Sequence, residues 1–184
     1  MNPTVKKLTH GALMVALATV LYTLAVFKLP NGGAITVGSM VPLMVYAFMY
    51  NVKWSLLVSL VFAGIQLVIG FYPPPSQDFL SFFLLILLEY IIVFGVPGLA
   101  GVFGKLFKGK ASAMVGATVI VMVIQFICHF IAGILIWNSF APEGQPVWLY
   151  SLLYNGSYMI GELIISSIFM LFIAKYLNLK KLRG

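Results

Sequence analysis

Apolar runs of about 20 residues, interrupted only by short turn-rich or basic segments, fill this chain and leave it almost no choice of fold. A run of that length with few charges crosses the hydrocarbon core of a bilayer as a helix, because a helix satisfies its backbone polar groups internally where no water can. Composition agrees. Of the 184 residues 62% are hydrophobic and 8% charged, and the mean hydropathy is +1.08. Soluble globular domains are not built from such a composition. The pattern predicts an all-α integral membrane protein with six transmembrane helices in a single domain over residues 1–184.

The expected spans run from Leu8 to Phe27, Val37 to Tyr50, Trp54 to Phe71, Phe79 to Phe103, Ala113 to Trp137 and Trp148 to Leu177. The second is short for a full crossing. The breaks between them carry their own reasons. Pro73, Pro74 and Pro75 remove backbone donors, and Gly32-Gly33 and Pro142 to Pro146 mark turns. The N-terminal stretch has the lysines and apolar run of a signal peptide. Its length and the lack of a clear cleavage site predict an uncleaved first span.

Six spans place both termini on one side. Lys6, Lys7, Lys53, Lys105, Lys108, Lys110, Lys175, Lys180, Lys181 and Arg183 fall on that side, and Lys28 falls on the other. The positive-inside rule then predicts N-in, C-in. The net charge of +7 is spent on these short flanks, with no basic stripe interleaved with aromatics, so nucleic acid is not an expected partner. The lone Cys128 allows no internal disulfide. No Cys/His cluster offers a metal site, and no GxxxxGK[ST] sequence offers a nucleotide site. No cofactor is expected, nor an enzyme, since no nucleophile–base set is visible.

Against this apolar background the polar positions stand out. An ionisable side chain at membrane depth costs a few kcal/mol or more unless it meets a partner or a cavity. Glu89 and Tyr90 lie in the fourth span. Gln125, His129, Gly133 and Trp137 recur every four residues along the fifth, and so form one slowly spiralling stripe. Ser151, Asn155, Tyr158 and Glu162 share a face of the sixth, flanked by Tyr150 and Tyr154. At about 1.5 Å per residue, Glu89, His129 and Asn155 sit about 10–15 Å below the outer face. Glu162 lies deeper, at about 20 Å, where it could instead pair with a tyrosine or serine inside the bundle. Three helices thus converge on one outward-opening pocket. Its carboxylate favours a cation or a strong donor, and its Trp and Tyr faces suit flat, positively charged rings. Tyr22, Gln66 and Tyr72 carry no decisive signal.

Glu89-Tyr90, His129-Phe-Ile-Ala-Gly133 with Trp137, and the stretch from Ser139 through Trp148-Leu-Tyr150 to Asn155-Gly156 resemble the thiamine-specific S component of bacterial energy-coupling factor (ECF) vitamin transporters. The likeness runs over nearly the whole chain, and His129 to Asn155 is its specific part. It implies a subunit of the bacterial cell membrane that captures thiamine from outside. A membrane coupling subunit and two ATPase subunits, supplied by other chains, would drive import. It further implies that Glu89, Tyr90, His129, Trp137, Tyr150 and Asn155 line the thiamine pocket and that Gly133 lets the ligand approach the helix. Gln125, Tyr154 and Glu162 are further candidates. Some members carry lysine where this chain has Gln125, and tryptophan in the first outer loop where this chain has Pro30 to Gly33. That loop is then left to contribute backbone. Ala12 and Ala16 resemble the docking motif of such components, and small residues do allow close helix approach. The competing class is an autonomous proton-driven carrier for a cationic heteroaromatic compound, working through Glu89 and Glu162; the chain shows no internal repeat to match it.

Overall fold

The computed structural model describes residues 2–183; the side chains of Lys180 and Arg183, counted above among the basic flanks, lie outside that description. The molecule is mostly helical. We number the helices α1 (Pro3–Thr23), α2 (Val41–Met49), α3 (Val52–Ile69), α4 (Phe79–Leu106), α5 (Lys110–Leu135), α6 (Val147–Tyr176) and α7 (Leu179–Arg183). Five of these, α1, α3, α4, α5 and α6, are long and apolar enough to cross a bilayer.

The expected second span is corrected. Val37–Tyr50 contains only the nine-residue α2, and before it the chain forms an antiparallel hairpin of β1 (Ala25–Lys28) and β2 (Ala34–Thr36). The first span also ends earlier than expected, at Thr23 rather than Phe27. The all-α expectation therefore misses one small element. Gly32, with φ of +96°, supplies the turn between the strands. Exposed strand edges do not occur against lipid, but irregular backbone is tolerated where protein or a cavity covers it. Here β2 packs on α6, with Thr36 buried.

Helix α2 sits at the centre of the bundle, packed against α1, α3, α4, α6 and α7, and all its residues but Phe48 are buried. Its end is level with the start of α1. The Tyr46 hydroxyl donates to the Lys7 carbonyl (3.0 Å), and the Tyr50 hydroxyl meets His10 Nδ1 (2.8 Å). A helix of nine residues reaches only about 14 Å. The rest of the central space, between the hairpin and the long helices, stays open as a cavity.

Helix α4 is irregular where it matters. Ile86–Ile92 is π-helical, and Val96–Leu99 narrows to a 3₁₀ turn around Pro97. Proline has no N–H for the carbonyl four residues back, and its ring crowds that carbonyl. That carbonyl belongs to Val93, and Gln125 Nε2 donates to it at 2.7 Å. A buried glutamine of α5 thus repairs the hydrogen bond that Pro97 removes from α4.

Candidate ligand-binding site

The cavity has a volume of about 210 Å³ and takes its walls from the hairpin, from Ser39 and Met40 just before α2, from α1, α4, α5 and α6, and from the loops that hold Tyr72 and Phe140. The wide turns of α4 carry Glu89 and Tyr90 onto its wall. π-Helical turns are frequent at functional sites, because they spend a regular hydrogen bond to re-aim side chains. His129 Nδ1 lies 2.6 Å from Glu89 Oε2, with both side chains less than one-fifth exposed. This contact ties the carboxylate to the imidazole and so fixes its position. Tyr90 serves the neighbouring loop: its hydroxyl donates to the Gly70 carbonyl (3.0 Å) and accepts from the Tyr72 amide (3.2 Å).

The polar stripes of α5 and α6 face each other. The Ser151 hydroxyl donates to the Phe130 carbonyl (2.8 Å), and Asn155 Nδ2 donates to the carbonyls of Ser151 (3.0 Å) and His129 (3.2 Å). The Tyr158 hydroxyl then donates to Asn155 Oδ1 at 2.9 Å. Gly133 makes this possible, since a Cβ there would collide with the Ser151 side chain. At the mouth the Trp137 ring stacks on Phe140 (centroids 5.8 Å apart) and tilts against Tyr72 (5.6 Å). These aromatic rings frame the entrance.

The hairpin closes the remaining side. The Tyr154 hydroxyl accepts from the amides of Asn31 and Gly33, each at 3.1 Å, and the Tyr150 hydroxyl accepts from Asn31 Nδ2 at 3.0 Å. Deeper down, the Thr36 amide donates to the Glu162 carboxylate. Glu162 is buried and reaches the cavity wall, but its partner is Thr36 of the hairpin rather than the tyrosine or serine weighed from the sequence.

All ten candidates, Glu89, Tyr90, Gln125, His129, Gly133, Trp137, Tyr150, Tyr154, Asn155 and Glu162, lie on this one cavity. Sequence reasoning passed over Tyr22 and Tyr72, which also line it, and could not place Asn31, Thr36 or Phe140. Tyr22 closes the end of α1, edge-on to Phe62 and Phe94. The hint for Tyr22 and Tyr72 was position alone, since each lies near the end of an apolar run beside a loop. Ala12 and Ala16 are far from the cavity and exposed on α1.

Comparison with known proteins decides the family. The model of the family described as "Thiamine transporter protein (Thia_YuaJ)" matches residues 8–181. The chain belongs to the thiamine transporter family. The thiamine transporter ThiT of Bacillus subtilis (strain 168) is 33% identical to it, over 88% of this chain and 86% of that protein. A second ThiT, from Lacticaseibacillus paracasei, is 40% identical over 38% of this chain and 39% of its own length. A solved structure of ThiT from Listeria monocytogenes shares the fold, with a TM-score of 0.78, 23% identity and 99% of both chains covered. The resemblance carried by Glu89-Tyr90 and the stretch from His129 to Asn155 thus holds at the level of the family. The thiamine transporter family is one of multi-pass membrane transporters, not of enzymes.

Proposed function

We propose that this chain is the thiamine-binding membrane subunit of an ECF-type importer, a single transmembrane unit over residues 1–184 in the bacterial cytoplasmic membrane. One observation carries the reading: the cavity wall holds two carboxyl groups, Glu89 and Glu162, among aromatic rings, with no lysine or arginine. Thiamine is a flat aminopyrimidine joined to a thiazolium ring of fixed positive charge. A carboxylate in a water-poor cavity attracts such a cation far more strongly than it would in bulk water. The faces of Trp137, Tyr150 and Tyr154 add cation–π and stacking attraction. His129 orients Glu89, Gly133 keeps the α5 wall thin, and Tyr90, Gln125 and Asn155 supply further polar lining.

The chain takes the N-in, C-in topology. The hairpin and α2 together return it from the end of α1 to the level of Lys7, which makes a sixth passage without a sixth full-length helix. The cavity then opens outward, and the lysine-rich end lies inside. The chain has no phosphate-cradling loop, so hydrolysis falls to two ATPase subunits acting through a membrane coupling subunit. Ala12 and Ala16, small and exposed on α1, present a face on which that coupling subunit docks.

The test separates binding from transport. Calorimetry on the purified chain is expected to show thiamine binding, with quenching of tryptophan fluorescence through Trp137. Ala12→Trp or Ala16→Trp is expected to abolish uptake in cells while the calorimetric affinity stays within about twofold. Absence of both heat and quenching at saturating thiamine overturns the ligand. Accumulation of thiamine by the lone chain in vesicles under an imposed proton gradient overturns the subunit reading in favour of a proton-driven carrier.

A further inference from the structure

A second hollow lies at the opposite end of the bundle, where α5 begins and α6 ends. It has a volume of about 670 Å³. Its floor is apolar: Phe48 of α2, the buried Met114 of α5 and the buried Leu179 of α7. Its rim is cationic and aromatic, with Lys110 and Lys175 beside Phe107 and Tyr176.

The lysines there lack the partners lysines usually find. The chain has four acidic residues, Asp78, Glu89, Glu143 and Glu162, and all lie in the cavity or in loops of the other end. Lys110 Nζ donates instead to the Leu177 carbonyl, just past the end of α6. Lys175 Nζ rests over the Tyr176 ring, 5.2 Å from its centroid. Lys105, Lys108 and Lys181 stand exposed on the adjoining segments. The charge of this end therefore has no carboxylate side chain of its own to meet.

From this we infer that the hollow is a binding site for an anionic phospholipid, with the phosphate between Lys110 and Lys175 and an acyl chain along Phe48, Met114 and Leu179. The assignment to lipid rests on the join of two chemistries. A cationic rim alone would serve any phosphate. A cationic rim opening directly onto a sunken apolar floor, flanked by exposed Leu106, Phe107 and Leu177, matches a molecule that is charged at one end and apolar along its length. The site sits at the level where a bilayer's headgroups meet its acyl chains, marked here by the change from apolar helix to lysine-bearing turn. Bound lipid would tie α5, α6 and α7 together through attractions the chain cannot make internally.

The test uses the intact detergent-purified chain and native mass spectrometry. Phosphatidylglycerol is expected to remain bound at a concentration where phosphatidylcholine does not. The double variant K110Q/K175Q is expected to weaken phosphatidylglycerol retention by about tenfold or more, since each lysine near an anionic headgroup is worth about fivefold. Ala113→Leu, which partly fills the groove and keeps both charges, should weaken it as well. Thiamine affinity, set at the other end, should stay unchanged in all variants and serves as the control for folding. Equal retention of the two lipids overturns the proposal, as does unchanged phosphatidylglycerol retention in K110Q/K175Q. Equal protection against thermal unfolding by inorganic phosphate assigns the site to a free anion instead. Loss of uptake in the double variant with lipid retention intact assigns the surface to a protein partner and overturns the lipid reading too.

Discussion

The cavity has two kinds of wall. The wall built by α4, α5 and α6 is helical, and its polar side chains are held by one another and by main-chain carbonyls: His129 on Glu89, Ser151 on Phe130, Asn155 on His129 and Ser151. The hairpin wall has little of its own. Its two strands are four and three residues long, and a lone hairpin is at best marginally stable. It is held in place through Tyr150, Tyr154 and Glu162, all on α6. On the proposed function the helical wall carries the recognition chemistry, and the hairpin is attached to it by a few hydrogen bonds that can be removed singly. That proposal makes recognition and closure separable.

The largest expected effect breaks the helical wall. Glu89→Gln keeps the shape but removes the charge that His129 orients. A desolvated charge-assisted contact is worth about 1.5–3 kcal/mol, so thiamine affinity should fall by about tenfold to a hundredfold in calorimetry, with the hairpin's amide exchange unchanged. Wild-type affinity in this variant would show that Glu89 is not the recognising acid and would leave that role to Glu162 of α6.

A smaller effect is expected on the hairpin. Tyr154→Phe removes the shared acceptor of the Asn31 and Gly33 amides. A neutral hydrogen bond contributes about 0.5–1.5 kcal/mol, so affinity should fall by about threefold to tenfold. The distinguishing readout is hydrogen exchange. Amides of residues 31–33 should exchange faster, while those of α5 keep their protection. Equal loss of protection on both walls would merge what we describe as two units.

The smallest effect lies just outside the cavity, at the start of the helix that carries Glu89. Asp78 caps α4, accepting hydrogen bonds from the Ser76 hydroxyl and from the Ser81 amide (2.9 Å) and hydroxyl (2.8 Å). These bonds, that from Ser76 foremost, hold its carboxyl down at about 2, against an ordinary value of 3.8. A carboxylate depressed on folding stabilises the fold above its unfolded value and loses that contribution as the proton returns. The capping contribution should therefore be complete above pH 3.8 and fade as pH falls toward 2. Thermal unfolding of wild type and Asp78→Ala in detergent should differ slightly at pH 6 and converge at the acid end of that window, with thiamine affinity equal in both at pH 6. A difference that persists undiminished at the acid end would remove the carboxylate from the account.

Hydropathy and helical period were enough to read five long helices, the basic flanks and the polar stripes of α5 and α6 from the chain alone, because both signals repeat within a single segment. The stripes placed His129, Gly133, Asn155 and Glu162 on cavity-facing sides before any packing was known. The same reasoning failed between Ala25 and Tyr50. Nothing local distinguishes a short apolar helix that crosses from one that stops half-way beneath a cavity. That choice was made by distant partners: Tyr154 and Glu162, more than a hundred residues on, hold the hairpin against α6. Tertiary structure also decided the course of α4. Pro97 announces a broken hydrogen bond in the sequence, but only the packed bundle shows Gln125 arriving to replace it. Sequence by itself determined which segments enter the membrane and which faces are polar, since burial in lipid is judged residue by residue. What those faces enclose was settled by contacts between segments far apart in the chain, which no local pattern encodes.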